Sequence, residues 1–306
     1  MISDLKLYCA PLQGFTDCVW RNTHAEVFGE HIDIYYAPFM RIVNGVIPSR
    51  DIKDIIPENN TTHIQPQIIA CKPEDAVRMA LVIKKYCYHS VDINLGCPHP
   101  PIAQKKKGSG ILRYPADCEA LLKALSEIQG LSFTIKMRLG YDEPTQWRDI
   151  LPLFEIISPK EIVVHPRIGK DLYSGEINFE QFLTFYQECP YPLIYNGDLH
   201  NREQILRLKE KCPGLTGVMV GRTLVSYPDF FEVKYSTAKL RLFHDLLFER
   251  YSHKLLGGEH QLLMKMKTLW GMMLPYTDKK SRKLIKKSSS IHSYQIAVNS
   301  LFKNMI

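Results

Sequence analysis

Short apolar runs rich in β-branched and aromatic residues recur through the first 222 positions of this chain. They span Lys6–Ala10, Ile34–Phe39, Ile64–Ile69, Val91–Leu95, Phe133–Met137, Glu161–His165, Leu193–Tyr195 and Thr216–Val220. Val91, Ile93 and Leu95 alternate with Asp92 and Asn94, the period of two that marks a strand. Runs such as Ile162-Val-Val164 and Val218-Met-Val220 are apolar without a break, as strands buried on both faces are. Between the runs the spacing changes to that of a helix. Ala76, Met79, Ala80 and Ile83 share one helical face, as do Leu121, Leu122, Leu125 and Ile128, then Leu151, Phe154 and Ile157, then Ile205 and Leu208. Strand and helix alternating eight times predict an α/β fold, a (β/α)8 TIM barrel.

Beyond Arg222 the texture is different. Pro228 closes the last barrel-like segment. Leu240, Phe243, Leu247 and Tyr251 then follow helical spacing, as do Leu262, Met266, Leu269 and Met273, and Ile296, Val298, Leu301, Phe302 and Met305 close the chain the same way. With no convincing strand among them, these segments predict a small all-helical domain. The expected division is a catalytic barrel over 1–235 and a helical domain over 236–306.

Charge sharpens that division. Residues 231–306 carry 14 Lys and Arg against 5 Asp and Glu, a net of +9, while the remainder is at −2 within a whole-chain +7. The densest stretch, Lys279-Lys-Ser-Arg-Lys-Leu-Ile-Lys-Lys287, lies between the predicted helices. A basic appendage on a near-neutral body suits a polyanionic partner, and a solvated lysine-rich helix face would look the same. The other composition figures are ordinary for a globular chain: 306 residues, 45% hydrophobic and 23% charged. No apolar run nears the ~20 residues that span a bilayer, and Met1-Ile-Ser-Asp-Leu-Lys6 lacks the apolar core of a secretory signal. The eight cysteines form no C-x-x-C pair, which argues against a zinc site and a secreted disulfide scaffold. Reduced thiols, a cytoplasmic location, no membrane and no metal are expected.

In such a barrel the active site forms at the C-terminal ends of the strands. Gly96 and Pro98 stop the fourth run abruptly and leave Cys97 just past the strand end, three residues after Asn94. Taken alone, this thiol suits a chemical role and a buried structural role equally. Other polar residues gather at the same level: Gln67 late in the third run, Lys136 and Arg138 on the fifth, His165 and Arg167 on the sixth, Asn196-Gly-Asp198 after the seventh and Gly221-Arg222 after the eighth, with Pro11 following the first. Each has a dull explanation, such as a satisfied core histidine or a simple turn. Their convergence on one rim is the informative feature.

These blocks carry a resemblance. Ala10-Pro-Leu-Gln-Gly-Phe-Thr-Asp17, Gln67-Ile-Ile-Ala-Cys-Lys-Pro-Glu74, Asp92-Ile-Asn-Leu-Gly-Cys-Pro98 with Gly108-Ser109 and Leu112, Lys136-Met-Arg-Leu-Gly140, His165-Pro-Arg167 with Tyr173-Ser-Gly175, Asn196-Gly-Asp198 and Val218-Met-Val-Gly-Arg222 stand in order. Together they resemble the tRNA-dihydrouridine synthases, flavin enzymes that reduce uridine in tRNA, over roughly residues 5–235. Pro166 and Ile168 depart from the family's usual glycine and threonine, and Asp171 stands where a glutamine is common. The helical tail has no segment that matches residue by residue.

The resemblance implies tightly bound FMN re-reduced by NADPH, hydride delivered to uracil C6, and Cys97 as the acid that protonates C5. It implies that Pro11, Leu12, Gln67, Lys136, His165, Asn196, Asp198, Gly221 and Arg222 hold the flavin, and that Asn94, Arg138 and Tyr173 hold the uracil. Lys105, Lys106 and Lys107, on the loop after Cys97, are expected to meet tRNA. A thiol near its ordinary pKa of ~8.5 is mostly protonated at neutral pH yet yields its proton readily, which suits a general acid. No G-x-G-x-x-G follows a strand, so a dinucleotide has no Rossmann domain to occupy. Rival readings are a flavin barrel acting on a free pyrimidine or a dihydroorotate-like molecule, a non-catalytic RNA-binding barrel, and a flavin-free aldolase-type barrel.

Overall fold

The structure, a computed structural model, describes residues 4–305, so the outermost ends of the two expected domains, 1–3 and 306, lie outside the described residues. Nine parallel strands are found among them: β1 (Lys6–Cys9), β2 (Ile34–Tyr36), β3 (Ile64–Gln65), β4 (Gln67–Ile68), β5 (Ser90–Leu95), β6 (Ser132–Gly140), β7 (Ile162–Ile168), β8 (Leu193–Tyr195) and β9 (Gly217–Val220). They form one sheet in the order β3-β2-β1-β9-β8-β7-β6-β5-β4. Proline has no N–H to give to a ladder, so Pro66 splits the predicted third strand into β3 and β4. The two are halves of one stave, and the ring closes there. Met40, just beyond β2, bridges to Ile68 in parallel, donating to the Gln67 carbonyl and accepting from Ile69 N–H. Eight staves therefore make the barrel that the strand–helix alternation predicts. β2 stops at Tyr36 rather than Phe39, because Pro38 follows.

Close contacts divide the chain into two compact units: residues 1–11 with 33–220, and residues 12–32 with 221–306. The first contains every strand. Its interior holds Tyr8, Ala10, Tyr36, Val163, Ile194 and Met219, all buried. The Tyr8 and Tyr36 hydroxyls both donate to Glu161, at 2.9 and 3.2 Å, so neither polar tip is wasted in the core. The predicted helix at Leu151–Ile157 is instead a 3-10 helix over Leu151–Ile156, with Pro152 in its first turn.

The second unit is helical. Helices Cys18–Phe28, Thr237–Lys254, Gly258–Trp270 and Ile291–Lys303 enclose Trp20, Phe243, Tyr251, Met266, Trp270, Tyr294 and Phe302. Phe243 makes edge contacts with Trp20 and Phe28. The Asp17 carboxylate caps the first of these helices through Trp20 N–H and also accepts from Tyr251 and Lys265. Burial alone would raise its pKa; the Lys265 charge and these hydrogen bonds reverse that and hold it below the ordinary carboxylate range. The basic stretch 279–287 is not a connection but a helix of its own. Asp278 caps it, Ser281 and Ile285 one turn apart face inward, and Lys279, Lys280, Lys283, Lys286 and Lys287 stay exposed. Among the described residues no helix is long and apolar enough to cross a membrane.

Candidate active site

Strand register decides which polar residues meet. Gln67 pairs with Asp92, Asp92 with Thr134, Asn94 with Lys136, and Arg138 with His165. Alternate residues of a strand share a face. Positions 67, 92, 94, 134, 136, 138 and 165 therefore form one polar surface toward the C-terminal ends of the staves.

The turn after β5 is built around Asn94. Its side-chain carbonyl accepts from the N–H groups of Gly96 (3.0 Å) and Cys97 (2.8 Å). Its NH2 donates to Gln67 Oε1 at 2.8 Å, and Gln67 Nε2 donates to Asp92 at 2.6 Å. On the far side the Cys97 carbonyl accepts from the N–H and hydroxyl of Ser109, at 3.0 and 3.1 Å. Gly108 permits this approach: its φ is +59°, and a Cβ there would lie 2.5 Å from the Cys97 carbonyl oxygen. Burial pushes the Cys97 thiol above its ordinary pKa; a hydrogen bond from His99 N–H and the charges of Arg138 and Lys136 pull the other way without prevailing. The thiol therefore keeps its proton at neutral pH.

Two cations face this turn. Burial draws the Lys136 ammonium down to about 8, a shift that Arg138 reinforces and Asp92 opposes. Arg138 is 1% exposed, and burial draws it down to about 10. Its Nη1 donates to the Ile168 carbonyl at 2.7 Å, and its guanidinium lies 5.2 Å from the centre of the Tyr173 ring. Its Nε and Nη2 are buried with no hydrogen-bond partner among the described residues. A buried donor left unmade costs free energy, and a bound molecule accepting from these two nitrogens would recover it.

Tyr173 leads on to His165, with ring centres 6.3 Å apart. His165 Nε2 lies 3.0 Å from Arg167 Nη1, and Arg167 grips Asp198 with two bonds, at 2.5 and 3.1 Å, while donating to the Gly175 carbonyl. Asn196 donates to the Met219 carbonyl at 2.8 Å. The fold thus links Gln67, Asn94 and Cys97 on one side, and Arg138, Tyr173, His165 and Asp198 on the other, with Lys136 between. Pro11 ends the first unit, whereas Leu12, Gly221 and Arg222 belong to the second. Lys105 to Lys107 lie on the loop after Cys97; Lys106 is paired with Asp117 at 2.8 Å and sits over the Tyr114 ring, and Lys105 is exposed.

Two participants, Asp92 and Thr134, were not singled out from the sequence. Their signal was a polar side chain two residues before another on the same strand face, Asp92 before Asn94 and Thr134 before Lys136. Arg167 was visible at a strand end, but its pairing with Asp198 spans 31 residues and has no local signature. No cluster of side chains suited to a metal ion occurs among the described residues.

Comparison with known proteins follows the same lines. The family model for dihydrouridine synthase (Dus) matches residues 8–297. A tRNA-dihydrouridine(16) synthase of Shewanella oneidensis is 24% identical over 235 residues, covering 74% of this chain and 73% of its own. A probable tRNA-dihydrouridine synthase 2 of Bacillus subtilis is 29% identical over 233 residues, covering 73% and 70%. Among solved structures, the old yellow enzyme from Trypanosoma cruzi superimposes with a TM-score of 0.51 at 10% identity, over 78% of this chain and 88% of that one, a likeness of fold alone.

Proposed function

The chain belongs to the dihydrouridine synthase family, and on that premise we propose that it reduces uridine to 5,6-dihydrouridine in tRNA, with FMN as its cofactor and NADPH as the source of electrons. The observation that carries this reading is the buried Arg138 guanidinium with two unpartnered nitrogens, set beside a protonated thiol. The donor set also fits a flavin. Gln67 keeps one amide N–H free of the hydrogen bonds described above, and Lys136 offers a cation with no hydrogen-bonded partner among the described residues. Such groups suit a ring with imide and carbonyl edges that gains negative charge on reduction. In the first unit, Pro11, Gln67, Lys136, His165 and Asn196 would hold it. Asp198 would act by fixing Arg167.

Reducing the uracil C5–C6 bond takes a hydride at C6 and a proton at C5. The flavin, when bound, supplies the hydride, which no side chain can. Cys97 supplies the proton at C5. Its raised pKa keeps the acid form populated, and the nearby cations keep the thiolate accessible once the proton has left. Arg138 would donate its free N–H groups to a uracil carbonyl as negative charge builds there, in a site where those donors already have no competing partner. Tyr173, half exposed beneath that guanidinium, would pack against the base. Asn94, with its carbonyl committed to the turn, would keep the thiol at the mouth. The base must leave its stack to arrive there, at a cost of a few kcal/mol. The exposed lysines of the 279–287 helix and of the 105–107 loop would meet the tRNA backbone, a recognition of phosphates that needs no base code. The expected location is the cytoplasm, where such RNA is found.

The test is mass-spectrometric mapping of dihydrouridine in RNA from cells with and without the gene, together with the visible spectrum of the purified protein. Loss of one or more tRNA dihydrouridines, and their return with the wild-type gene but not with Cys97→Ala, supports the reading. Unchanged RNA and a colourless protein overturn it. Turnover of free uracil with none on tRNA favours the free-pyrimidine alternative.

A further inference from the structure

Asp92 lies in the middle of β5, fully buried, and both of its oxygens accept hydrogen bonds. One comes from Gln67 Nε2, the other from the Thr134 hydroxyl at 2.8 Å. From there the bonds run in one direction. Gln67 turns its NH2 toward Asp92 and therefore its carbonyl toward Asn94. Asn94 answers with its NH2, which leaves its own carbonyl for the N–H groups of Gly96 and Cys97. Each amide taken alone has two orientations of similar shape that exchange oxygen and nitrogen. Here the turn end is fixed by chemistry, because backbone N–H groups can only donate. That sets Asn94 and then Gln67 one way round, and at the far end Asp92, whose carboxyl pKa burial raises to about 7, accepts from Gln67 and Thr134.

We propose that Asp92 is a positioning residue for the reaction. By accepting from Gln67 it fixes that amide's orientation toward the flavin edge and, through Asn94, the turn that presents Cys97. The proposal rests on the functional reading above. Asp92 touches neither the thiol nor the expected substrate and acts only through the two amides. A bland account, in which Asp92 is a satisfied core carboxylate, explains its two hydrogen bonds. It does not explain why one of the two goes to a site residue whose other end holds Asn94 and, through it, the turn that carries Cys97. Burying a carboxylate is costly, and replacing it with an apolar side chain of similar volume often stabilises a protein. A carboxylate retained at that position calls for a role beyond packing.

The two accounts separate in full-length protein carrying Asp92→Leu and Asp92→Asn. Asparagine can still offer a carbonyl to Gln67 and its NH2 to Thr134, whereas leucine ends the relay. Two readouts are taken: kcat and KM on unmodified tRNA, and the rate at which Cys97 is alkylated by iodoacetamide, followed by mass spectrometry. For Asp92→Leu we expect kcat to fall by about tenfold or more with KM within about twofold, because loss of positioning acts on the reacting geometry. Alkylation should quicken by about threefold or more, because the amide side of the turn is released and the thiol becomes more exposed. Asp92→Asn should restore both values to within about threefold of wild type, since the relay is kept although the charge is gone. Gln67→Leu, which cuts the relay one bond later, covers the case in which Asp92→Leu fails to fold. It should quicken alkylation by a similar factor, and the double variant should add nothing further.

Unchanged alkylation in both Asp92→Leu and Gln67→Leu overturns the proposal, and so does an Asp92→Asn protein as impaired as Asp92→Leu. Alkylation needs no turnover. If wild-type protein makes no dihydrouridine, the functional reading fails while the positioning claim is still decided.

Discussion

Arg138→Met is the substitution whose outcome most directly tests the reasoning about the site. Burial draws the Arg138 guanidinium from its ordinary 12.5 to about 10. At 1.36 kcal/mol per pKa unit, that is about 3 kcal/mol of net disadvantage for the charged form in the fold. The two unpartnered nitrogens are the structural face of that cost. Methionine keeps the unbranched stem and removes the charge. It also forfeits the 2.7 Å bond to the Ile168 carbonyl and the contact with Tyr173, together about 2–3 kcal/mol because the donor is charged. The flavin-free variant should therefore be as stable as flavin-free wild type, to within about 1 kcal/mol. Its activity on tRNA should fall by about a hundredfold or more, the usual loss when a donor to developing charge is removed. The assay is urea denaturation of both proteins after any bound flavin has been stripped, because a bound ligand shifts apparent stability by mass action. A stability lower by more than that margin would mean that the guanidinium is satisfied in the free protein, and the inference that a bound molecule completes the site would fall.

Four further outcomes are expected. Gly108→Ala puts a Cβ 2.5 Å from the Cys97 carbonyl at a φ of +59°; it should lower stability by about 2–4 kcal/mol and impair turnover, as read by thermal denaturation and tRNA assay. Alkylation of Cys97 should be slow at neutral pH and rise with a midpoint above the ordinary thiol range, because burial raises that pKa; a midpoint below neutrality would contradict the general-acid role. His24 is buried against Trp20, and burial holds it at about 4 instead of 6.5. The unfolded chain therefore takes the proton first, so its contribution is complete above pH 6.5 and is lost as pH falls from there toward 4, about 3 kcal/mol in all; His24→Phe should show a shallower loss over that window. Replacing Lys283 and Lys287, exposed one turn apart on the basic helix, with glutamine should weaken tRNA binding and reduce the slope of log affinity against log salt by about 1–2, measured by filter binding.

The fold was legible because burial on both faces leaves a strong mark. Eight apolar runs separated by helical periods leave little besides a parallel barrel. The prolines set the remaining detail, halting β2 before Pro38 and dividing the third stave at Pro66. Helices are stamped by their own period, which is why three of the helices after 236 were readable without any matching motif, whereas Lys279–Lys287, with few apolar positions, reads as a connection. The segment 12–32 carries no such mark of belonging with residues 221–306, since that association depends on contacts such as Asp17 with Lys265, 248 residues away.

Residue types and their spacing fixed the chemistry on offer: a thiol past a strand end, two cations on β6, amides on neighbouring staves. Tertiary structure alone decided how each was employed. Register across β4, β5 and β6 brings Gln67, Asp92 and Thr134 to one level, which turns three separate polar residues into a single chain of hydrogen bonds. Burial disfavours the Arg138 charge and leaves it short of partners, and it keeps Cys97 protonated. Both are consequences of removing water, and the amount of water around a side chain is a property of the whole packed barrel that no local stretch of sequence encodes.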